Sequence, residues 1–307
     1  MITKVTKKEF SDLLARIQMI QKGRMSNDSI ESSVSRLTSE SNRLKALEIA
    51  KSGNLVSLTR SLEDGIIQDQ RRVSFPDPLY PAEKDTGVGI RDTWLVDYHG
   101  YSITHVDALC HIGYNGLIFG GIPVEEVGNN GRSGFDIIDT VGPSIITRGV
   151  IVPVSGCEVL SETSGTDRME RRYVTVTEFK QSLHENRIEL RQGDCVLISV
   201  QSEFDDDTSS DTVILCPKVI ETLVERDVMC IGADFDVDGG GFGVEGVRLP
   251  VHVAAIWAGG VPLIDNLNLS QLFSQINEKR VRQFCFVCAP IPVRGATGSP
   301  AGCFALM

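Results

Sequence analysis

Apolar positions recur at helical spacing at the start of the chain and in short unbroken runs after it. Phe10, Leu13, Leu14, Ile17 and Ile20 share one face of a helix. Its start is marked by Thr6-Lys-Lys-Glu9, in which a threonine and a glutamate three residues on can bond each other's backbone amides. A polar, Ser/Asn-rich interval over 25–41 interrupts the pattern. A second helix is expected over 40–51, carrying Leu44, Leu47 and Ile49 and ending at Gly53. Two such helices have no core of their own and must pack on the main body or on a partner subunit. The pattern favours an intersubunit contact, so residues 1–53 are read as an N-terminal helical extension and 54–307 as the main domain.

From Asn54 the character changes. Leu55-Val-Ser-Leu-Thr is strand-like, and 64–92 is irregular, with Pro76, Pro78 and Pro81. The run Ser144 to Val154 predicts a buried strand. Thr175-Val-Thr-Glu178 is a second capping box, opening a helix to about Asn186. A strand follows at Cys195–Val200, then a helix at 217–227 with Pro217 in its tolerated first turn, and a strand at 228–233. Leu249 to Gly260 reads as a short helix ending at a glycine pair, before the strand Val261–Ile264. A long apolar strand covers 281–293, and 295–300 is a turn-rich loop. Helices alternating with strands make the fold class α/β. There is no fixed-period repeat and no linker that would divide the main domain.

Composition narrows the function classes. The chain has 307 residues, 41% of them hydrophobic, and a formal net charge of −11. That charge argues against a nucleic-acid surface or a polybasic membrane patch. No apolar run approaches the ~20 residues of a membrane span, and no apolar segment follows the basic N-terminus as in a signal peptide. A cytoplasmic location is the expectation. The eight cysteines are scattered through strand-like runs in a chain too long to need disulfides, which fits buried thiols. Cys285-Phe-Val-Cys288 lies inside an apolar run with no second pair to complete a zinc site. Gly239-Gly-Gly-Phe-Gly243 lacks the Gly-Lys-Ser/Thr ending of a phosphate loop. It reads as a loop near a pocket, and Asp234, Asp236, Asp238 and Glu245 around it could support a site or be solvated.

The chemistry concentrates in His99-Gly-Tyr-Ser-Ile-Thr-His-Val-Asp-Ala-Leu-Cys-His111, which holds three of the five histidines. In an extended segment positions 105, 107, 109 and 111 share one face. His105 and Asp107 can then converge on one cation, with His111 able to hold or move a proton. A second cluster, His252 and Asp265, lies at the two ends of a helix–strand unit that would bring them together. Tyr114, Phe119, Phe242 and Trp257 are candidate pocket walls, with core packing favoured for Trp257. There is no Gly-x-Ser-x-Gly, and Cys110 points away from His111 in an extended segment, so no nucleophile constellation competes.

Thr104-His105-Val-Asp107-Ala-Leu-Cys-His111 resembles the second half of the motif His-x-Gly-Thr-His-x-Asp-x-Pro-x-His of the metal-dependent cyclase family. That family includes bacterial kynurenine formamidase and isatin hydrolase. The resemblance continues, in order, through Thr-Arg-Gly-Val-Ile-Val at 147–152, Gln-Gly-Asp-Cys-Val-Leu-Ile at 192–198, Leu-Pro-Val-His252, Leu-Ile-Asp265-Asn-Leu and Thr297-Gly-Ser-Pro300. It implies a swivelling β/β/α fold, a homodimer or homotetramer, and one or two divalent metals, Zn²⁺ or Mn²⁺. His105, Asp107 and Asp265 would be the metal ligands, and His111 and His252 the catalytic pair.

Where the motif has its first histidine, glycine and proline, this chain has Tyr101, Ile103 and Leu109, and Asp265 replaces the usual Glu or Gln. Those departures favour one metal over two. His99, two residues from the motif position, would substitute only if the backbone bulges there, and His99 and Tyr101 are counted with the substrate pocket. The expected function is hydrolysis of an amide, lactam or lactone in a small cyclic or aryl substrate, with metal-activated water as nucleophile. The alternatives are a lyase or ring-closing enzyme of secondary metabolism, or a non-catalytic binding protein on the same scaffold.

Overall fold

Seven strands close on themselves at the centre of the molecule. The computed structural model describes residues 4–25, 31–61, 72–74, 93–100, 102–127, 134–156, 158–164, 167–200, 213–239, 243–279 and 282–307. The strands are β1 (Leu55–Ser57), β2 (Arg72–Ser74), β3 (Thr93–Leu95), β4 (His105–Asp107), β5 (Ile145–Val154), β6 (Glu158–Ser164), β7 (Asp167–Val174), β8 (Cys195–Val200), β9 (Val213–Leu215), β10 (Cys230–Ala233), β11 (Leu263–Asp265), β12 (Gln283–Pro290) and β13 (Gly298–Leu306). The helices are α1 (Lys7–Lys22), α2 (Ser33–Leu37), α3 (Glu40–Leu47), α4 (Ile137–Val141), α5 (Val176–Glu185), α6 (Lys218–Glu225), α7 (Pro250–His252) and α8 (Ser270–Lys279).

The barrel runs β4–β13–β12–β5–β8–β10–β11 and back to β4, with β1 added to the far end of β13. β5, β8, β10 and β11 are parallel to one another, while β4, β12 and β13 pair antiparallel. The α/β class read from the sequence thus takes the form of a mixed barrel with helices packed outside it. Closing the sheet leaves no free edge among these seven strands.

Burial on both faces explains why the parallel strands read as unbroken apolar runs. In β8, Val196 and Ile198 join Phe179 of α5 and Val219 and Leu223 of α6. Cys195 and Leu197, on the other face, join Phe284 and Phe286 of β12 and Cys303 of β13 from across the barrel. All seven cysteines among the described residues are buried and unbridged, including the Cys285–Cys288 pair.

The first N-terminal helix packs on the main body. Phe10, Leu13, Leu14 and Ile17 of α1 are buried against α6 and the segment after α7, in the main core. This overturns the intersubunit reading for the first helix, because its apolar face is already covered. The Thr6–Glu9 capping box forms as expected. The polar interval contains a helix that the sequence reading did not assign. Ser32 caps α2, and Val34 and Leu37 are buried. Arg36 forks onto Asp227 at 2.9 and 2.5 Å and ties α2 to the body. The second expected helix is shorter than 40–51, and Leu44 and Leu47 of α3 are 62% and 51% exposed.

Two other expectations shift. At the second capping box Thr175 accepts from the Glu178 amide, but the Glu178 carboxylate caps the Ser155 and Gly156 amides instead. The loop expected at 295–300 becomes strand from Gly298 onward, because β13 pairs there with β4. A smaller sheet, β6–β7–β9, had no counterpart in the sequence reading.

Candidate metal centre

β4 is three residues long and contributes two of the site's side chains. It is held between β11 and β13 in a register that sets Asp265 opposite His105 and Gly298 opposite Asp107. Directly opposed residues of an antiparallel pair share a face, so Asp265 joins His105 and Asp107 although 160 positions separate it from His105. The His105 ring donates from Nδ1 to the Ile103 carbonyl at 2.8 Å, which leaves Nε2 toward the site. That nitrogen lies 3.5 Å from Asp107 Oδ1.

His111 arrives by a different route from the one its spacing suggested. The strand ends at Asp107, and a turn closed by the His111 amide on the Ala108 carbonyl brings the chain back. Shared parity does not extend to positions 109 and 111; the turn, not an extended backbone, places His111 Nε2 3.9 Å from Asp107 Oδ1. His99 also enters the site, with Nδ1 3.0 Å from Asp107 Oδ1 and its ring stacked on His111 at 3.9 Å.

The second cluster meets the first. Pro250 opens a helix that continues as a π-helix over Val253–Ala258, a form often found at functional sites. Leu249, its N-cap residue, is left-handed at φ 54° and offers no side-chain cap. Asp238 does that work from a distance, accepting the Val251 and His252 amides at 2.6 and 3.2 Å and the His252 Nδ1–H at 2.5 Å. His252 Nε2 therefore faces Asp265 Oδ2 at 3.2 Å and Asp107 Oδ2 at 3.4 Å. Asn266, also left-handed, donates to the Gly100 and Ile103 carbonyls and steadies the loop that carries His99 and His105.

Asp107 is the focus. It is completely buried, and neither oxygen has an aligned hydrogen-bond donor among the described residues. Such a carboxylate is costly unless a positive charge compensates it. Burial alone would raise its pKa, but His111, His252, His99 and His105 together hold it well below the usual carboxylate range. Burial opposes charge on His252, yet Asp265, Asp107 and Asp238 carry its pKa well above the ordinary imidazole value. Burial pushes His111 down to about 4.

Imidazole nitrogens that crowd a carboxylate without bonding to it are arranged as ligands of a third atom. Two donors on one ion with ordinary bonds of about 2.1 Å stand roughly 3.0–3.4 Å apart, close to the separations found here. Two donor sets gather with all their nitrogen and oxygen atoms within 4.8 Å of one another, His105–Asp107–Asp265 and His99–Asp107–His111, and they share Asp107. The residues fit a divalent cation. Around them is a cavity of about 90 Å³, with Phe235 and Leu249 as apolar walls and Asp236 and Asn266 at its margin. A larger groove of about 460 Å³ beside α5 contains none of these groups.

Of the other residues singled out in the sequence, Tyr114 and Phe119 are not brought to this cavity. Tyr114 packs edge-on against Phe10 and Trp257, and Phe119 against Phe135. Tyr101 and Phe242 lie outside the described residues. Asp238 was one of several acidic residues without a distinct signal, and only its placement at the α7 amides sets it apart. Thr297, whose hydroxyl meets His99 Nε2 at 3.0 Å, was legible only as part of the closing Thr-Gly-Ser-Pro.

Comparison with known proteins bears on the family and the fold. The family profile described as "Cyclase: Putative cyclase" matches residues 56–238, which include His99 to His111 and Asp238. No curated protein matches the sequence significantly. A crystal structure described as a novel cyclase superposes with a TM-score of 0.73 at 17% identity, covering 93% of this chain and 96% of that one. Isatin hydrolase A from Labrenzia aggregata, solved with benzyl benzoate, gives 0.56 at 16% identity over 87% of this chain and 98% of its own. Isatin hydrolase A from Ralstonia solanacearum gives 0.52 at 15% identity over 87% and 97%. At such identities the structural likeness establishes the fold, and the family match covers more than half of the chain: the protein belongs to the cyclase family.

Proposed function

We propose that this protein is a metal-dependent hydrolase that opens an amide, lactam or lactone bond in a small cyclic or aryl substrate. One observation carries the reading: Asp107, buried and without an aligned hydrogen-bond donor among the described residues, lies at the meeting point of four imidazoles beside a second carboxylate. His105, Asp107 and Asp265 would hold the cation, with His252 turned toward it. Zn²⁺ and Mn²⁺ both suit an imidazole–carboxylate set. A divalent ion in such a site acidifies water and polarises a substrate carbonyl.

The protein's own groups supply the rest. His111 is neutral at ordinary pH and its side chain keeps 21% exposure, so its ring can take a proton at the cavity and return it to the leaving nitrogen or oxygen. The stacked His99 limits its rotation. Asp238 locks the His252 ring with Nε2 inward. Phe235 and Leu249 offer an apolar surface to a ring, and the isatin hydrolases of the same fold carry in their name the substrate type we infer.

The test is metal analysis of protein purified without chelator, followed by a panel of lactams, lactones and aryl amides. A stoichiometric divalent ion, lost in His105→Ala, is expected. His111→Ala is expected to keep the ion and lose about 10²–10⁴-fold in kcat. Product carrying ¹⁸O from labelled water identifies hydrolysis; unlabelled product would point to elimination or ring closure. Metal-free protein that folds normally would sink the proposal.

A further inference from the structure

The motif position that carries an imidazole in the family pattern is Tyr101 here, and His99 stands two residues before it. We infer that Thr297 and Gly298, at the start of β13, are positioning residues that recruit His99 as a cation ligand from outside the motif. This rests on the metal-dependent reading above and assigns roles that the motif does not contain.

Thr297 is placed to hold one tautomer. Its hydroxyl is 3.0 Å from His99 Nε2. With the proton on Nε2 donated to Thr297, the lone pair is on Nδ1 and faces Asp107 Oδ1 at 3.0 Å. Among the described residues Nδ1 is buried and makes no aligned hydrogen bond, and neither does that oxygen. Were His99 simply hydrogen-bonded to Asp107, an aligned Nδ1–H would satisfy both groups at this distance. Instead the ring points beside the carboxylate, and two lone-pair atoms in such proximity are stable only with positive charge between them.

Gly298 provides the space. A methyl group there would stand 2.7 Å from His99 Cε1 and 3.2 Å from Nε2, displacing the ring, and 2.6 Å from the Val106 carbonyl. The glycine is needed for close approach, since its φ is not in the left-handed region. Tyr98 completes the cradle by donating its hydroxyl to the Gly298 carbonyl at 2.8 Å while its ring lies 4.5 Å from that of His99. Because Gly298 is paired with Asp107 in the barrel, the same strand sets the carboxylate and the imidazole relative to each other.

The experiment strips the full-length protein with chelator and titrates it with Co²⁺, reading visible absorption and bound metal for wild type, His99→Ala, Thr297→Val, Thr297→Ser and His105→Ala. Gly298→Ala is informative only if it folds, given the Val106 carbonyl, so the threonine variants carry the test. His99→Ala and Thr297→Val are expected to weaken Co²⁺ binding about 10–100-fold and to change its spectrum, the range typical of residues that orient metal ligands. Thr297→Ser, which keeps the hydroxyl, is expected to restore affinity and spectrum. If His99→Ala and Thr297→Val bind and absorb like wild type while His105→Ala loses the ion, His99 merely stacks on His111 and the inference fails, with the hydrolase reading intact. If wild type itself binds neither Co²⁺, Zn²⁺ nor Mn²⁺ stoichiometrically, both fail.

Discussion

At the scale of single residues, Asp238 and Asp234 show how two carboxylates four apart in one loop differ in consequence. Asp238 closes two helix amides and one imidazole at once. Asp238→Ala would leave all three without a partner in a buried place, so a loss of about 2 kcal/mol is expected in denaturant unfolding. Asp234 is half-buried beside Ser199 and Val200, and its desolvation raises its pKa to about 6 despite their hydrogen bonds and the nearby Arg60. Its folded pKa lies above the unfolded value of 3.8, so the native state holds the extra proton between these values. The ionised group then costs stability above about pH 6, and the cost vanishes below about pH 4. Asp234→Asn keeps an acceptor for the Val200 amide, and its Nδ2 donates to the Ser199 hydroxyl in place of the carboxylate oxygen that accepts from it. It is expected to be more stable than wild type at pH 8, by an amount on the order of 3 kcal/mol, and no more stable at pH 4. Equal melting differences at both pH values would contradict this assignment.

At the scale of elements, packing decides what periodicity alone leaves open. The apolar stripe of α1 could cover a partner or the body, and the side chains themselves do not distinguish the two. Phe10 is 0% exposed within the described chain. Phe10→Ala is therefore expected to lower unfolding free energy by about 3–5 kcal/mol, independent of protein concentration. A concentration-dependent loss would return this face to a subunit interface. The helix at Pro250 shows the opposite case, an element whose own end is poorly made. A leucine in the left-handed region precedes it and a π-helix follows, and both are held by contacts from outside the segment.

At the scale of the molecule, barrel closure brings distant segments into one site. Arg148 of β5 reaches Asp194 before β8 through two bonds, at 2.8 and 2.7 Å, and Gln283 of β12 at 2.9 Å. Three neighbouring strands are stitched at one end by a single guanidinium. Asp194 is 1% exposed, and Arg148→Ala would leave its charge buried with little compensation. A loss of about 3–5 kcal/mol is expected in unfolding at neutral pH. Arg148→Lys should recover only part of it, because an ammonium cannot make the fork.

By itself the sequence determined the elements whose cause is local. Capping at Thr6 and Thr175, the apolar strands at 145–154 and 195–200, and the proline-opened helix α6 all follow from neighbours within a few residues. It also made the His105–Asp107 core of the site legible, because two residues apart on a strand is a short-range relation. Tertiary structure decided whatever depends on a partner far along the chain. It turned the 295–300 loop into strand by pairing it with β4, folded His111 back through a turn, and chose Asp238 among several aspartates. It drew in His99 by means of a glycine and a threonine 198 or more residues away. Local pattern specifies dihedral preference and facing; the convergence of the candidate site is a matter of register between strands, which no single segment contains.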